Sequence, residues 1–228
     1  MKKILAVVTN TPTYGETSLN TGLWLSELTH LYHLAKCEGF QIIVAGPKGG
    51  HVPIDPESLK SYLLDRISKG LWQNEDFRQE LLHSRPLEEM KDKDFDLIYL
   101  AGGHGTMFDF PNCEALQYII RRHYERGRLV AAICHGVSGL IHVTLHDGTP
   151  LIKDKKLTGF SWFEEIVARR KNFVPFSLEA KLKMQTPYYL KALLPMTSKV
   201  VVDGNLITGQ NPFSSKVMAK VLIEKLRG

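Results

Sequence analysis

Residues 3–9 form a continuous apolar run, as expected for a strand covered on both faces. After a polar loop at 10–20, Trp24, Leu28, Leu31 and Ala35 recur at helical spacing, and Gly39 supplies a stop. A second apolar run, 41–45, ends at Gly46-Pro47. Strand, helix and strand in this order make a βαβ unit, which requires a parallel sheet. The alternation resumes at 96–101, a strand ending in Gly102-Gly103-His104-Gly105. A helix over 112–126, closed by Gly127, and a strand over 129–133 follow, and a further helix starts behind Cys134. Farther on, 156–159 reads as short and extended, and 161–170 and 178–184 as helical. Residues 199–208 read as a hairpin turning at Asp203-Gly204-Asn205, and 214–226 as a closing amphipathic helix. The expected fold class is α/β, a three-layer sandwich around a mainly parallel sheet.

The stretch 47–94 interrupts this alternation. It is more polar and lacks a strong strand. Leu59, Tyr62, Leu63 and Ile67 suggest one helix, and Phe77, Leu81 and Leu82 another. We read it as a small helical cap inserted into a single domain spanning 1–228, a length that suits one large domain. Hydrophobic residues at 43% and charged residues at 23% are ordinary globular usage, which argues against disorder. No apolar run reaches the ~20 residues of a membrane span. The best candidate, 129–145, is broken by His135, His142 and several glycines. The first ten residues resemble a signal peptide superficially, but the apolar stretch is very short and polar residues follow it. A cytoplasmic protein is expected, with no membrane partner. The formal charge of +5 is interspersed and no nucleic-acid motif is present, so surface solvation is its expected role and no nucleic-acid partner is expected. Cys37, Cys113 and Cys134 have no CxxC spacing. Such usage argues against a disulfide scaffold or zinc knuckle and leaves a single reactive thiol open.

Ligands of open α/β sheets bind beyond the carboxyl ends of the strands. At one such end, Ala132 and Gly136 flank Cys134 at minus and plus two. Small residues there meet the steric demand of a nucleophile elbow, which lifts the central side chain into the cleft. The sulfur would then lie near a helix N-terminus, where the dipole favours thiolate. A buried, inert cysteine fits the same spacing; the adjacent His135 favours function. At a second strand end, the glycines around His104 would let backbone N–H groups face a ligand oxygen and form an oxyanion hole with the His135 N–H. The same residues also fit a plain tight turn. They do not complete a GxGxxG fingerprint, because Phe108 holds the last position, and no phosphate loop occurs. Glu27 reads either as a helix-surface carboxylate or, on the buried side, as one that must be paired or protonated. Glu164 and Glu165 follow Trp162-Phe163, where a solvated helix start is the simple reading. His142 and His146 lack the glutamate of HExxH, and with His30 and His33 they fall to surface or packing roles. Ser138 does not fit GxSxG, and packing is expected for Cys37 and Cys113.

Ala101-Gly102-Gly103-His104-Gly105-Thr106-Met107-Phe108-Asp109-Phe110-Pro111 and Ala131-Ala132-Ile133-Cys134-His135-Gly136 together resemble the ThiJ/PfpI superfamily. Thr21-Gly22 with Glu27, Leu157-Thr158-Gly159-Phe160, Val174-Pro175-Phe176 with Leu178-Glu179, and the run from Asp203 to Pro212 extend the resemblance over nearly the whole chain. It implies the flavodoxin-like, class I glutamine-amidotransferase-like fold. Within the superfamily the chain resembles the heat-shock-protein-31-like branch, known as glutathione-independent glyoxalase III and as a chaperone. By position, the resemblance implies that Cys134 is the nucleophile, His135 its neighbour in a triad, and Glu27 the carboxyl near the sulfur. The triad acid falls at Glu165 or Glu164, with ungapped spacing from Gly159 favouring Glu165. Gly103 and His135 would supply the oxyanion hole. The implied activity converts methylglyoxal to lactate through a cysteine hemithioacetal, without metal or organic cofactor. Protein deglycation, unfolded or glycated proteins as partners, and a homodimer come from the same resemblance. A cysteine peptidase or amidase, and a holdase chaperone or oxidative-stress protein, are the rival expectations. Val137 stands where the family usually has proline, and Trp162 where it tends to carry a smaller polar residue.

Overall fold

The apolar runs lie side by side in the computed structural model, which describes residues 1–228. In chain order the elements are β1 (Lys3–Val7), α1 (Leu25–Cys37), β2 (Gln41–Gly46), α2 (Arg66–Gln73), α3 (Glu75–Leu82) and β3 (Arg85–Pro86). They continue with β4 (Leu97–Leu100), α4 (Thr106–Asp109), α5 (Glu114–Glu125), β5 (Leu129–Ile133), α6 (Trp162–Val167) and α7 (Leu178–Gln185). The hairpin β6 (Val200–Asp203) and β7 (Leu206–Gly209) precedes the last helix, α8 (Ser215–Arg227). One sheet holds all seven strands in the order β3-β2-β1-β4-β5-β7-β6. Every neighbouring pair is parallel except β6 and β7.

Register aligns the strand ends. Val7 lies opposite Ala45 on one side and Leu100 on the other, and Leu100 lies opposite Ala132. The segments that follow β1, β2, β4 and β5 therefore leave the sheet along one edge. Right-handed crossovers run in opposite directions from the centre, from β1 to β2 and from β4 to β5, which puts α1 on one face and α5 on the other. Helix α8 packs along α1. The three layers enclose one continuous apolar cluster, and Val52, Phe77, Leu81, Leu87 and Met90 carry it into 47–94. No helix is long and apolar enough to cross a membrane.

Some elements depart from the sequence pattern. The expected helix through Leu59, Tyr62, Leu63 and Ile67 is absent: a 3₁₀ turn covers Pro56–Leu59, and α2 begins only at Arg66. Side-chain caps divide the stretch. Asp55 accepts the Glu57 N–H at 2.9 Å, Asp65 the Ser68 N–H at 2.8 Å, and Asn74 the Phe77 N–H at 2.8 Å. Each cap starts a new short helical piece. The segment also adds a strand: β3 pairs with Ala45 and Gly46 at the sheet edge, where Pro86 is tolerated. Residues 156–159 form no strand, only a bridge from Leu157 to Tyr189. Helix α6 ends at Val167, short of the expected 170, and Arg169 has a left-handed φ of 58°. The helix behind Cys134 is a 3₁₀ helix over Cys134–Leu140. Cys37 is exposed, so it has no packing role.

Gly136 lies against the end of β4. A Cβ there would sit 2.6 Å from the Leu100 carbonyl oxygen and 2.9 Å from that of Ala101. Backbone cannot yield as a flexible side chain can. Gly136→Ala should cost about 1–3 kcal/mol or more, read as a lower urea midpoint at unchanged slope.

Candidate active site

Strand β5 ends at Ile133 in extended conformation, and the next residue, Cys134, turns into the left-handed region at φ 56°. For a residue with a Cβ this conformation costs on the order of 1–3 kcal/mol and persists only where surrounding packing enforces it. The turn directs Cys134 into a cleft, although the residue is only 2% exposed. Its Sγ lies 3.3 Å from His135 Nδ1.

Helix α6 brings in the next group. Ser161 caps it through a reciprocal bond with Glu164, which places Glu164 and Glu165 in the first turn. The two carboxylates then diverge. Glu164 is fully buried and accepts from the Ser161 N–H and hydroxyl, Gln210 Nε2, Asn211 Nδ2 and the Met196 N–H. Glu165 Oε2 accepts from His135 Nε2 at 2.8 Å, and its Oε1 from His104 Nε2 at 2.7 Å. The His104 and His135 rings lie 4.0 Å apart between centroids, and Phe160 covers the other side of His135 at 4.4 Å. Burial alone would raise the Glu165 pKa, but the two imidazoles outweigh it and hold the carboxyl far below the usual range. Burial, helped by the neighbouring His135, pushes His104 down and keeps it neutral. Neither glutamate has the solvated position that the sequence suggested as the simple reading.

Glu27 lies in the first turn of α1, which is pinned to the sheet. Trp24 N–H donates to the Gly102 carbonyl at 3.1 Å, and the Tyr99 hydroxyl donates to the Glu27 carbonyl. The Glu27 side chain is fully buried, not on the helix surface. Its Oε2 accepts the Gly102 N–H at 2.8 Å, while Oε1 has no hydrogen-bond partner. Burial pushes its pKa up to about 8, so it holds its proton at neutral pH. The carboxyl is near enough to Cys134 for each group to perturb the other. The expected helix-dipole stabilisation of a thiolate does not dominate here. Burial raises the Cys134 thiol well above its ordinary value, and an ionised Glu27 raises it further. A protonated Glu27 removes that second effect.

Gly103 adopts φ 106°, and a Cβ there would lie 2.1 Å from the Gly22 carbonyl oxygen, so the two loops touch backbone to backbone. No protein acceptor takes the Gly103 N–H. The structure thus gathers Cys134, His135, Glu165 and Glu27 around one sulfur, with Gly103 on the adjoining loop.

A family model described as DJ-1/PfpI family matches residues 19–225. The chain belongs to the DJ-1/PfpI family. Among curated proteins it is similar to Glyoxalase 3 of Candida albicans, 29% identical across 98% of this chain and 97% of that protein. It is 28% identical to Glutathione-independent glyoxalase HSP31 of Saccharomyces cerevisiae, across 99% and 98% of the two chains. The solved structure of Rapid Encystment Protein 24 KDa of Francisella tularensis superposes with a TM-score of 0.92 at 36% identity, covering 99% of each chain.

Two site residues of this DJ-1/PfpI member escaped sequence reasoning. His104 was legible only as part of a glycine loop, and nothing in its spacing ties it to Glu165. Asp55 is buried on the cleft wall, where it accepts the Thr21 hydroxyl at 3.0 Å. Ligand atoms of His104, His135 and Glu165 lie within 4.8 Å of one another, a spacing that suits a metal ion. Each imidazole already engages its own oxygen of Glu165, so this set satisfies itself by hydrogen bonds. The other histidines are dispersed: His30 bonds Asp65, His33 lies by Cys37, His142 by Pro111, and His146 pairs with Glu125.

In an unfolded chain Glu27 ionises near 4.5; in the folded protein it does so only near 8. Between these values the folded state binds more protons, so Glu27 lowers stability as pH rises, and the effect levels off above about 8. Glu27→Gln removes this dependence. Urea unfolding should show the variant gaining a few kcal/mol on the wild-type protein between about pH 5 and pH 8, at ~1.4 kcal/mol per pKa unit. A constant difference across that window would place the carboxyl in its ordinary range.

Proposed function

We propose that this chain is a glutathione-independent glyoxalase of the glyoxalase III type, converting methylglyoxal and water to lactate. The observation that carries this reading is the fully buried Glu27 carboxyl near Cys134, with Oε1 left without a hydrogen-bond partner and its pKa pushed up by burial to about 8. A peptidase or amidase triad has no evident task for a second carboxyl there. The nearly full-length similarity to proteins called Glyoxalase 3 and glutathione-independent glyoxalase supports the same reading.

Glu165, held by His104, takes the His135 Nε2–H and leaves Nδ1 free to accept the thiol proton. The sulfur adds to the aldehyde carbon. Glu27 protonates the new alkoxide, and the N–H groups of Gly103 and His135 stabilise the negative oxygen as it forms. The Glu27 carboxylate then takes the hydrogen from the thiol-bearing carbon, while imidazolium His135 protonates the neighbouring carbonyl oxygen. Glu27 returns its proton to that second carbon as His135 removes one from the first hydroxyl. The product is a lactyl thioester of Cys134. Water, deprotonated by the Glu27 carboxylate, cleaves it, and imidazolium His135 returns its proton to the departing sulfur, which restores the thiol, the neutral imidazole and the protonated Glu27. In this scheme Cys134 is the nucleophile, His135 and Glu27 are acid/base groups, and Glu165 and His104 are positioning residues.

The same reading makes 1–228 one working unit. The excursion 47–94 acts as a cap whose Asp55, Glu57, Tyr62 and Leu63 form part of the cleft wall. A homodimer in the cytoplasm is the form we propose. Exposed Phe163, Met184, Leu193 and Leu194 supply apolar surface for association, either with a second copy or with glycated or unfolded proteins.

Cys134→Ala should abolish lactate formation; a variant that retains the normal rate would overturn the proposal. Glu27→Gln should lower kcat by ~10²–10⁴-fold, the usual contribution of a positioned acid/base group. Wild-type kcat should fall above about pH 8, where Glu27 loses its proton. His104→Phe removes one charge-assisted bond to Glu165 and should lower kcat roughly tenfold or more. His104→Gln, which keeps an N–H donor, should recover part of that loss.

A further inference from the structure

The cleft beyond Cys134 is far larger than a three-carbon dicarbonyl needs. It encloses about 340 Å³, whereas methylglyoxal displaces on the order of 100 Å³ on the scale of ~30 Å³ per liquid water. Cys134, His135 and His104 form the reacting part of its lining, and Asp55, Glu57 and Arg170 are its other charged members. Trp24, Phe160, Val167, Met196 and Phe213 line much of the remaining wall. Val167 is 50% exposed and Phe213 48%, so apolar surface faces water beside the reactive thiol. These walls are held in place. Glu164 accepts the Met196 N–H at 3.0 Å and Asn211 Nδ2 at 2.7 Å, which fixes the chain at Met196 and just before Pro212-Phe213. The one basic side chain lining the cleft is already engaged. Arg170 lies over the Tyr14 ring at 5.8 Å and 3.8 Å from Glu57 Oε1, so the wall offers no free cation to an anionic substituent.

We propose that the site prefers 2-oxoaldehydes whose substituent is a chain of several methylenes over methylglyoxal itself. This rests on the glyoxalase reading of the same thiol. The reaction is unchanged: a 2-oxoaldehyde and one water give the 2-hydroxy acid, with no net oxidation or reduction. The substituent lies along the Val167, Met196 and Phe213 wall and removes it from water. A fully buried methylene is worth about fourfold in binding. The three additional methylenes of 2-oxohexanal, half-covered in an open cleft, should give ~10-fold.

Initial rates of 2-hydroxy acid formation by the full-length protein, with methylglyoxal and 2-oxohexanal in parallel, test this. The expected kcat/KM is ~10-fold higher for 2-oxohexanal. Phe213→Ser and Val167→Ser should bring the ratio of the two values towards one, and Phe213→Leu should restore it. A variant that merely loosens the fold lowers both values together and leaves the ratio unchanged; that outcome in both serine variants would overturn the assigned wall. Turnover of methylglyoxal with no preference for 2-oxohexanal overturns this inference alone. Absence of turnover with either compound overturns the glyoxalase reading as well.

Discussion

A left-handed backbone at Cys134, at the end of a buried parallel strand, is the constraint around which this site is organised. Such a conformation survives only when neighbouring groups leave no alternative. Here they are backbone and small residues: Gly136 against the β4 carbonyls, and Gly102 with no room for a Cβ between Glu27 and Ile133. Strands β1, β4 and β5 are the sheet's centre and lie in its buried core, so the strain is set against closely packed, fully buried backbone. Glu27, in the first turn of α1, follows β1, and Gly103 and His104 follow β4, at the sheet edge from which Cys134 leaves β5.

The site then separates two carboxyl groups by environment. Glu27 is surrounded by apolar packing and one backbone N–H, and it keeps its proton at neutral pH. Glu165, equally shut away from water, is met by an imidazole on each oxygen and keeps its charge. Carboxyls driven apart in this way serve different tasks within one cleft: one can exchange a proton near neutral pH, and the other keeps its charge and orients an imidazole. The unusual feature is the second imidazole. With His104 holding Oε1, Glu165 can pivot little, and the tautomer of His135 that leaves Nδ1 free towards sulfur is set from the far side.

Most of the sheet was readable because strands buried on both faces leave unbroken apolar runs, as 3–9, 41–45 and 129–133 do. In the excursion, apolar spacing alone joins Leu59 to Ile67, whereas the side-chain caps at Asp55, Asp65 and Asn74 divide the stretch into short pieces. The choice between Glu164 and Glu165 was also open to local reasoning. Ser161-Trp162-Phe163-Glu164 is a capping-box pattern that assigns Glu164 to the helix start and leaves Glu165 to turn inward. Two properties had no local trace. His104 meets Glu165 from sixty-one positions away. The protonation of Glu27 and Cys134 depends on burial by the assembled fold, not on their neighbours in sequence.

Glu164 grips main chain at Met196 and an amide at Asn211, not the Met196 and Phe213 side chains in the cleft lining. Anchoring is thereby separated from selectivity. Residues 196 and 213 can be exchanged over evolutionary time without disturbing how the surrounding loops are tethered or how the sulfur and its acids are tuned. A scaffold organised in this way can diversify among reactive metabolites by single-residue drift while its chemistry stays the same.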